Sequence, residues 1–397
     1  MDQRLSSAVV GLEAHCIPVS PKTTWIVLEV RLDNGLTGFG EATDFGNEAA
    51  ILDEIARIDL ALRESRPQLI APVLQLLDGR QIPQARHIVR NALEQALLDA
   101  QGKLYSTPVV TLLGGPYRVS IPAYANINRG IADRSPEGFA EQAKRVVTQD
   151  GYKAIKIAPF DGYHWGETSG AGGRRLLADG VARILAVRDA IGPDVDLMAD
   201  CHSRFDSISA RIALSELEPA KLFWFEDPLD PCFPAEDRRD IRAHAHAQGV
   251  RIAGGEEIAG FAEMFAFLAA SGTDVFLPDL RLTGIRQGMA MCQAASAMGQ
   301  EISLHNPVGP VLDAVSRHVA AALPNFLTLE RPVRETPLWN ALRNGPAKIA
   351  DGAVEVETLG AAGLGLMLDT GPLQRNRTAG PERVLSFKGM AGAGPDA

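Results

Sequence analysis

Apolar side chains recur at every second position from Thr24 to Leu32, so Ile26, Leu28, Val30 and Leu32 share one face, as a half-buried strand requires. Asn34-Gly35 follows, a dipeptide that favours a two-residue hairpin turn, and Leu36 to Thr43 (LTGFGEAT) reads as the return strand. From about residue 49 to 113 the period lengthens to that of helices. Ile88, Ala92, Ala96 and Leu97 form one stripe, and the LLGG run at 112–115 breaks it. Residues 1–118 are therefore read as a small α+β unit.

From about residue 120 the rhythm changes to short apolar runs alternating with amphipathic helices. Ser135-Pro136 is an N-cap followed by proline at the first helical position. Phe139, Ala143, Val146 and Val147 face inward behind it, and Gly151 ends that helix. Strand-like runs are IPAYANI, YKAIKIA, VDLMAD, KLFWFED, VRIAGGE, TDVFLPD, EISLHN and FLTLER. Strands alternating with helices predict a parallel sheet, and eight such units predict a (β/α)8-type barrel over 119–340. The remainder, 341–397, carries a further short β signal in GLGLMLD and a Gly/Pro-rich end expected to be mobile.

Composition narrows the class. The chain has 397 residues, 46% hydrophobic and 22% charged, enough for a large core. Its 39 basic and 49 acidic residues leave a net charge of −10, which argues against nucleic acid as a partner. Cys16, Cys201, Cys232 and Cys292 form no CxxC pair, so a zinc ribbon or a disulfide framework is not expected. No basic n-region precedes a long apolar run, and no stretch reaches the length of a membrane span. The expectation is a cytoplasmic enzyme with no membrane partner.

The chemistry sits at the predicted strand ends, where Lys156, Asp200, Glu226, Glu256, Asp279, His305 and Glu330 stand. From Asp200 onward the steps are 26, 30, 23, 26 and 25 residues, close to one strand–helix repeat each. In a parallel barrel, residues at the C-terminal strand ends converge on one mouth. Asp200, Glu226 and Glu256 form the natural metal set. Three packed carboxylates repel one another unless a cation neutralises them, and all-oxygen ligation favours Mg2+, with Mn2+ as the alternative.

The motifs DCH (200–202), FEDP (225–228), GGE (254–256), PDLRLTG (278–284), LHNPVGP (304–310) and LE (329–330) together resemble the enolase superfamily, mandelate racemase subgroup. GxGE at 38–41, ALLDAQGK…LLGG at 96–115 and GLG at 363–365 resemble that family's capping domain and the segment that returns to it. The resemblance implies a modified TIM barrel with an α+β cap, a homo-oligomer, and a half-reaction in which a base removes the proton α to a carboxylate. A metal would stabilise the resulting enediolate. It also implies roles: His305 as base, Asp279 as the partner that fixes its tautomer, and Glu330 as the acid that hydrogen-bonds the substrate carboxylate or enediolate.

Two departures shape the reading. Racemases of the subgroup commonly carry Lys-x-Lys on strand two; here Lys156 is followed by Ala158, which cannot be a base, so Lys156 is expected to polarise the substrate carboxylate. Asp200-Cys201-His202 resembles the Asp-x-His of galactonate and mannonate dehydratases, and strand periodicity would put His202 on the same face as Asp200. There it could protonate a leaving β-hydroxyl. The leading expectation is a Mg2+-dependent sugar-acid dehydratase that yields a 2-keto-3-deoxy acid. The rivals are a racemase or epimerase using His202 and His305, and a catalytically weak metal-dependent ligand-binding protein. Metal-dependent hydrolysis is disfavoured because strand one has no His-x-His. The loop Asp161 to Gly173, with Tyr163, His164 and Trp165, is expected to cover the pocket. Asn126, Asn128 and Arg129 are candidates for contacts with substrate hydroxyls or a second anion.

Overall fold

The computed structural model describes residues 7–20, 23–65, 74, 77, 83–168, 170–230, 232–270, 272–336, 338–341, 348–355, 360–366, 373–377 and 382–387. Three N-terminal strands form an antiparallel meander: β1 (Val9–Ser20), β2 (Thr23–Leu32) and β3 (Thr37–Glu41). The Asn34-Gly35 turn forms as expected, with Gly35 at φ 84° and the Asn34 side-chain oxygen accepting from the Leu36 N–H at 3.0 Å. Ile26, Leu28, Val30 and Leu32 pack in one core with the helices Glu48–Ser65 and Gln84–Leu104. The opposite face is also buried. Trp25 and Val27 join the barrel core, and the Trp25 ring meets Trp339 edge-on at 5.5 Å.

Eight parallel strands close the barrel: β4 (Ser120–Asn126), β5 (Ala154–Ile157), β6 (Asp196–Asp200), β7 (Trp224–Glu226), β8 (Arg251–Gly254), β9 (Val275–Phe276), β10 (Glu301–Leu304) and β11 (Phe326–Pro332). Each pairs in parallel with the next, and β11 pairs back onto β4. All eight sequence runs thus become barrel strands. The expected helix forms over Pro136–Asp150, with the Ser135 hydroxyl accepting from the Gly138 N–H and Gly151 at φ 79°. A hairpin that periodicity did not suggest, β12 (Ile349–Ala350) and β13 (Ala353–Glu355), adds antiparallel to the start of β4. Two C-terminal strands, β14 (Leu373–Arg377) and β15 (Glu382–Phe387), complete the cap sheet in the order β14-β15-β1-β2-β3. Of GLGLMLD, only Gly363 to Leu366 fall within the described residues, and Gly363 forms an isolated bridge to Pro108. The Gly/Pro-rich end beyond 387 lies outside them.

The GxGE motif is explained by contact. A Cβ on Gly38 or Gly40 would fall 1.9 Å from the carbonyl oxygen of Ala96 or Ala92, so only glycine lets β3 lie on the helix Gln84–Leu104. Glu41 then reaches out of the cap. Its carboxylate accepts from the Gly309 N–H (2.6 Å) and the Leu312 N–H (2.9 Å), at the N-terminus of the helix Pro310–Ala322. That helix is buried on every side, and its free N–H groups need such an acceptor. Glu94 does the same for the next barrel helix back, accepting from the Ile285 N–H at 2.9 Å.

Candidate active site

Inside the barrel, Tyr124, Ala154, Met198, Trp224, Ala253, Val275 and Leu277 fill one apolar layer, with Tyr124 edge-on to Trp224 at 5.2 Å. Two residues further along the same strands stand Asn126, Lys156, Asp200 and Glu226. Period-2 geometry points them inward too, one layer closer to the C-terminal mouth. The apolar layer is their floor, and the Trp224 indole N–H donates to Glu226 Oε2 at 2.9 Å. Glu256, Asp279 and His305 follow β8, β9 and β10, and Glu330 lies within β11. The seven positions singled out by spacing therefore meet at one end of the barrel.

Lys156 is fully buried, and its ammonium lies 2.6 Å from Glu226, 3.1 Å from Glu330 and 3.6 Å from Asp200. Burial alone would lower its pKa, but Glu226 and Glu330 hold it well above the ordinary lysine value. It is a fixed cation among carboxylates and no base. Glu330 is pushed the other way. Burial would raise it, but Lys156, His305 and the Asn306 N–H bring it down to about 2.

The dyad is formed. His305 Nδ1 lies 2.9 Å from Asp279 Oδ2, and its Nε2 lies 3.2 Å from Glu256 and 3.9 Å from Glu330. Asp279 is fully buried. Burial would raise its pKa, but Arg281 and His305 hold it far below the usual carboxylate range. His305 is raised despite its burial, with Glu256 the largest opposing cause.

The predicted metal set has the right chemistry without a ready coordination sphere. Glu226 is raised by burial, and Glu256 is raised to about 8, chiefly by burial, with Asp200, Asp227 and Glu226 adding to the rise. Asp227 next door rises to about 7 through burial and Asp200. Glu256 Oε2 is also buried and makes no hydrogen bond, its neighbour being His305 Nε2 at 3.2 Å. This surplus of buried negative charge fits a divalent cation. As placed, however, no three His, Cys, Asp or Glu residues among those described converge as metal ligands, because Glu256 faces His305 and Lys156 stands between Asp200 and Glu226. Asp200, Glu226 and Glu256 are the residues that would hold the ion.

Several expectations are corrected. His202 is not on the strand face: β6 ends at Asp200, and the chain turns through left-handed His202 (φ 49°) and Ser203 (φ 55°). The ring still swings back to Asp200 Oδ2 at 3.2 Å, with its side chain 46% exposed. Asn126 and Asn128 line the cavity but are committed to the protein. Asn126 donates to Glu330 (2.7 Å) and accepts from Asn128, while Asn128 accepts from the Ala158 N–H (2.6 Å). Arg129 also lines the cavity, as expected, while stacking on Phe45 at 4.4 Å and pairing with Glu335 at 3.4 Å. Tyr163 is buried against Phe205, and Trp165 packs edge-on to Phe233 at 4.9 Å. Neither these two nor His164 lines the cavity, and Gly170 to Gly173 already belong to the helix Gly170–Ile191; residue 169 lies outside the described residues.

The cavity at this mouth has a volume of about 400 Å3, and Asp200, His202, Glu256 and His305 are on its wall. Residue spacing missed others there, among them Phe45 from the cap, Arg134, Phe160, Arg204 and Arg281. Arg134 is spent in a bidentate pair with Asp161 (2.7 and 2.8 Å). Arg281 carried a local signal, since it follows Asp279 by two residues.

Comparison with known proteins agrees with this architecture. Residues 138–371 match the "Enolase C-terminal domain-like" family model, and residues 15–114 match the "Mandelate racemase / muconate lactonizing enzyme, N-terminal domain" model. The chain belongs to this enolase-superfamily family. Among its relatives, D-xylonate dehydratase of Haloferax volcanii is 30% identical over 90% of this chain and 86% of that protein. D-gluconate dehydratase of Thermoproteus tenax is 32% identical over 72% and 56%, and D-galactonate dehydratase of Ralstonia pickettii is 28% identical over 74% and 75%. A mandelate racemase/muconate lactonizing enzyme structure from Jannaschia sp. is 27% identical with a TM-score of 0.78, covering 92% of this chain and 96% of its own. Among the described residues, no helix is long and apolar enough to cross a membrane.

Proposed function

We propose that this protein is a hydro-lyase that dehydrates a sugar acid to a 2-keto-3-deoxy acid. The carrying observation is His305 on the wall of a cavity shared with His202, Asp200 and Glu256, with Asp279 buried behind it at 2.9 Å from Nδ1. The dehydratase names of its relatives support the same reaction class. The cap is assigned to residues 1–118 together with the returning C-terminal segment, and the barrel to 119–340.

In this reading Asp279 accepts from the His305 Nδ1–H, leaving the Nε2 lone pair to take the proton α to the substrate carboxylate. A Mg2+ ion held by Asp200, Glu226 and Glu256 would supply positive charge for the substrate carboxylate as that proton leaves. Lys156 keeps Glu330 ionised and in place, so Glu330 can orient the substrate's polar groups. His202 gives its proton to the departing β-hydroxyl, which leaves as water, and the enol tautomerises to the keto acid. Ala158 in place of a second lysine, and a Lys156 locked in ion pairs, speak against racemisation with a strand-two lysine as the second base; the His202/His305 epimerase remains the rival that the test below separates.

The test is a screen of purified protein with Mg2+ against aldonic, uronic and aldaric acids, read as the semicarbazone of a 2-keto product and repeated in D2O. A keto product that disappears in His305→Asn is expected. Exchange of the α-proton without loss of water would replace this reading with epimerisation, and full turnover by His305→Asn would refute the base assignment.

A further inference from the structure

Asp279 has a second partner that the reaction scheme does not use. Arg281 wraps back onto it: the Arg281 N–H donates to Oδ1 at 2.7 Å, Nε to Oδ2 at 2.9 Å, and Nη2 to Oδ2 at 2.6 Å. Oδ2 is the same oxygen that accepts from His305 Nδ1. The guanidinium is almost fully buried, and its third arm, Nη1, donates to the carbonyl of Thr43 in the cap at 3.2 Å. Thr43 leads to Phe45, on the cavity wall, and the Arg281 guanidinium carbon lies 5.8 Å from that ring. The Thr43 hydroxyl donates to Glu41, the carboxylate that holds the N-terminus of the barrel helix Pro310–Ala322. One guanidinium thus touches the base's carboxylate and the cap wall together.

We infer that Arg281 is a positioning residue that locks the His305–Asp279 dyad to the cap segment Thr43–Phe45, making cap wall and base one unit. The inference rests on the reading of His305 as the base. A planar fork can hold a carboxylate in one plane, and an ammonium cannot. Without the fork, Asp279 would be free to turn about its last torsion. His305 would then lose the one acceptor that keeps its proton on Nδ1 and its lone pair at the cavity. The cost falls on turnover more than on substrate affinity, because Arg281, although on the cavity wall, already spends Nε and Nη2 on Asp279 and Nη1 on Thr43.

The experiment compares wild type, Arg281→Lys, Arg281→Ala and His305→Gln as full-length protein with Mg2+. Two readouts are used. The first is the histidine tautomer in long-range 1H–15N spectra, with His305 assigned by its loss in His305→Gln; it requires no substrate. The second is α-proton exchange and keto-acid formation with D-gluconate, D-galactonate and D-xylonate as probes. The expected result is a single Nδ1–H tautomer for His305 in wild type and a mixture in both Arg281 variants. With any probe turned over, kcat falls about 10- to 100-fold with KM changed less than about threefold, and guanidinium ion restores part of the rate of Arg281→Ala. An unchanged tautomer in Arg281→Lys, with unchanged kcat where a probe reacts, overturns the inference. Activity that survives in His305→Gln overturns instead the assignment of the base. Arg281→Lys keeps the charge and the stem, so it reports even if Arg281→Ala fails to fold.

Discussion

Acid should loosen the joint between the barrel helix Pro310–Ala322 and the C-terminal segment, because His318 has no room for a second proton. It is fully buried, its Nδ1 accepts from the Val110 N–H at 3.1 Å, and its Nε2 lies 3.2 Å from the Leu364 carbonyl, to which it donates. A proton on Nδ1 would face an N–H. Burial, with some help from Arg317, pushes the pKa down to about 4 against the pull of the Leu364 carbonyl. A histidine whose folded pKa is depressed binds its proton more readily when unfolded, so stability is intact above the unfolded value and is lost as pH falls toward the folded one. The window runs from about pH 6.5 to about pH 4, and the loss by about pH 4.5 is about 2.5 kcal/mol. His318→Leu removes the titration and costs about 1–3 kcal/mol near pH 7 by leaving two buried backbone groups without this partner. The assay is denaturant unfolding of both proteins near pH 7 and near pH 4.5, followed by tryptophan fluorescence. Because every other group titrates in both, the gap between the two proteins should shrink by about 2.5 kcal/mol on acidification. A gap that stays constant to within about 0.5 kcal/mol, well below that expected change, would refute the reasoning.

Two further outcomes follow from the same contacts. Asp279→Asn should lower kcat by about 10^3- to 10^4-fold on any acid the wild type turns over, since an amide at that position favours the wrong histidine tautomer; thermal unfolding should show whether the fold survives. Gly40→Ala should destabilise the protein by about 3 kcal/mol, because the new methyl meets the Ala92 carbonyl and the backbone of β3 must shift; calorimetry measures it.

The barrel was legible because its signals are local. Strand periodicity put Met198 and Asp200, or Trp224 and Glu226, on one face, and the structure keeps those pairs as floor and site. His202 broke the same rule for a reason periodicity cannot see: β6 ends at Asp200, two residues before it, and the chain leaves in a left-handed turn. Tyr163 was misread because its loop's apolar partner, Phe205, comes from the next unit. The hairpin β12–β13 is too short to carry a period of its own.

By itself, the order of residues determined the repeat, the closed barrel it implies and the seven chemical positions at the strand ends, because each depends on spacing along one strand–helix unit. Only the tertiary structure decided which partner each side chain has. Lys156 is spent on Glu226 and Glu330, Glu256 turns to His305, and Arg281 joins Asp279 to Thr43 across 238 residues of chain. A buried charge takes whichever counter-charge folding brings within about 4 Å, where the attraction is strong enough to offset its lost hydration. That distance is set by how cap and barrel pack, and no local pattern encodes it.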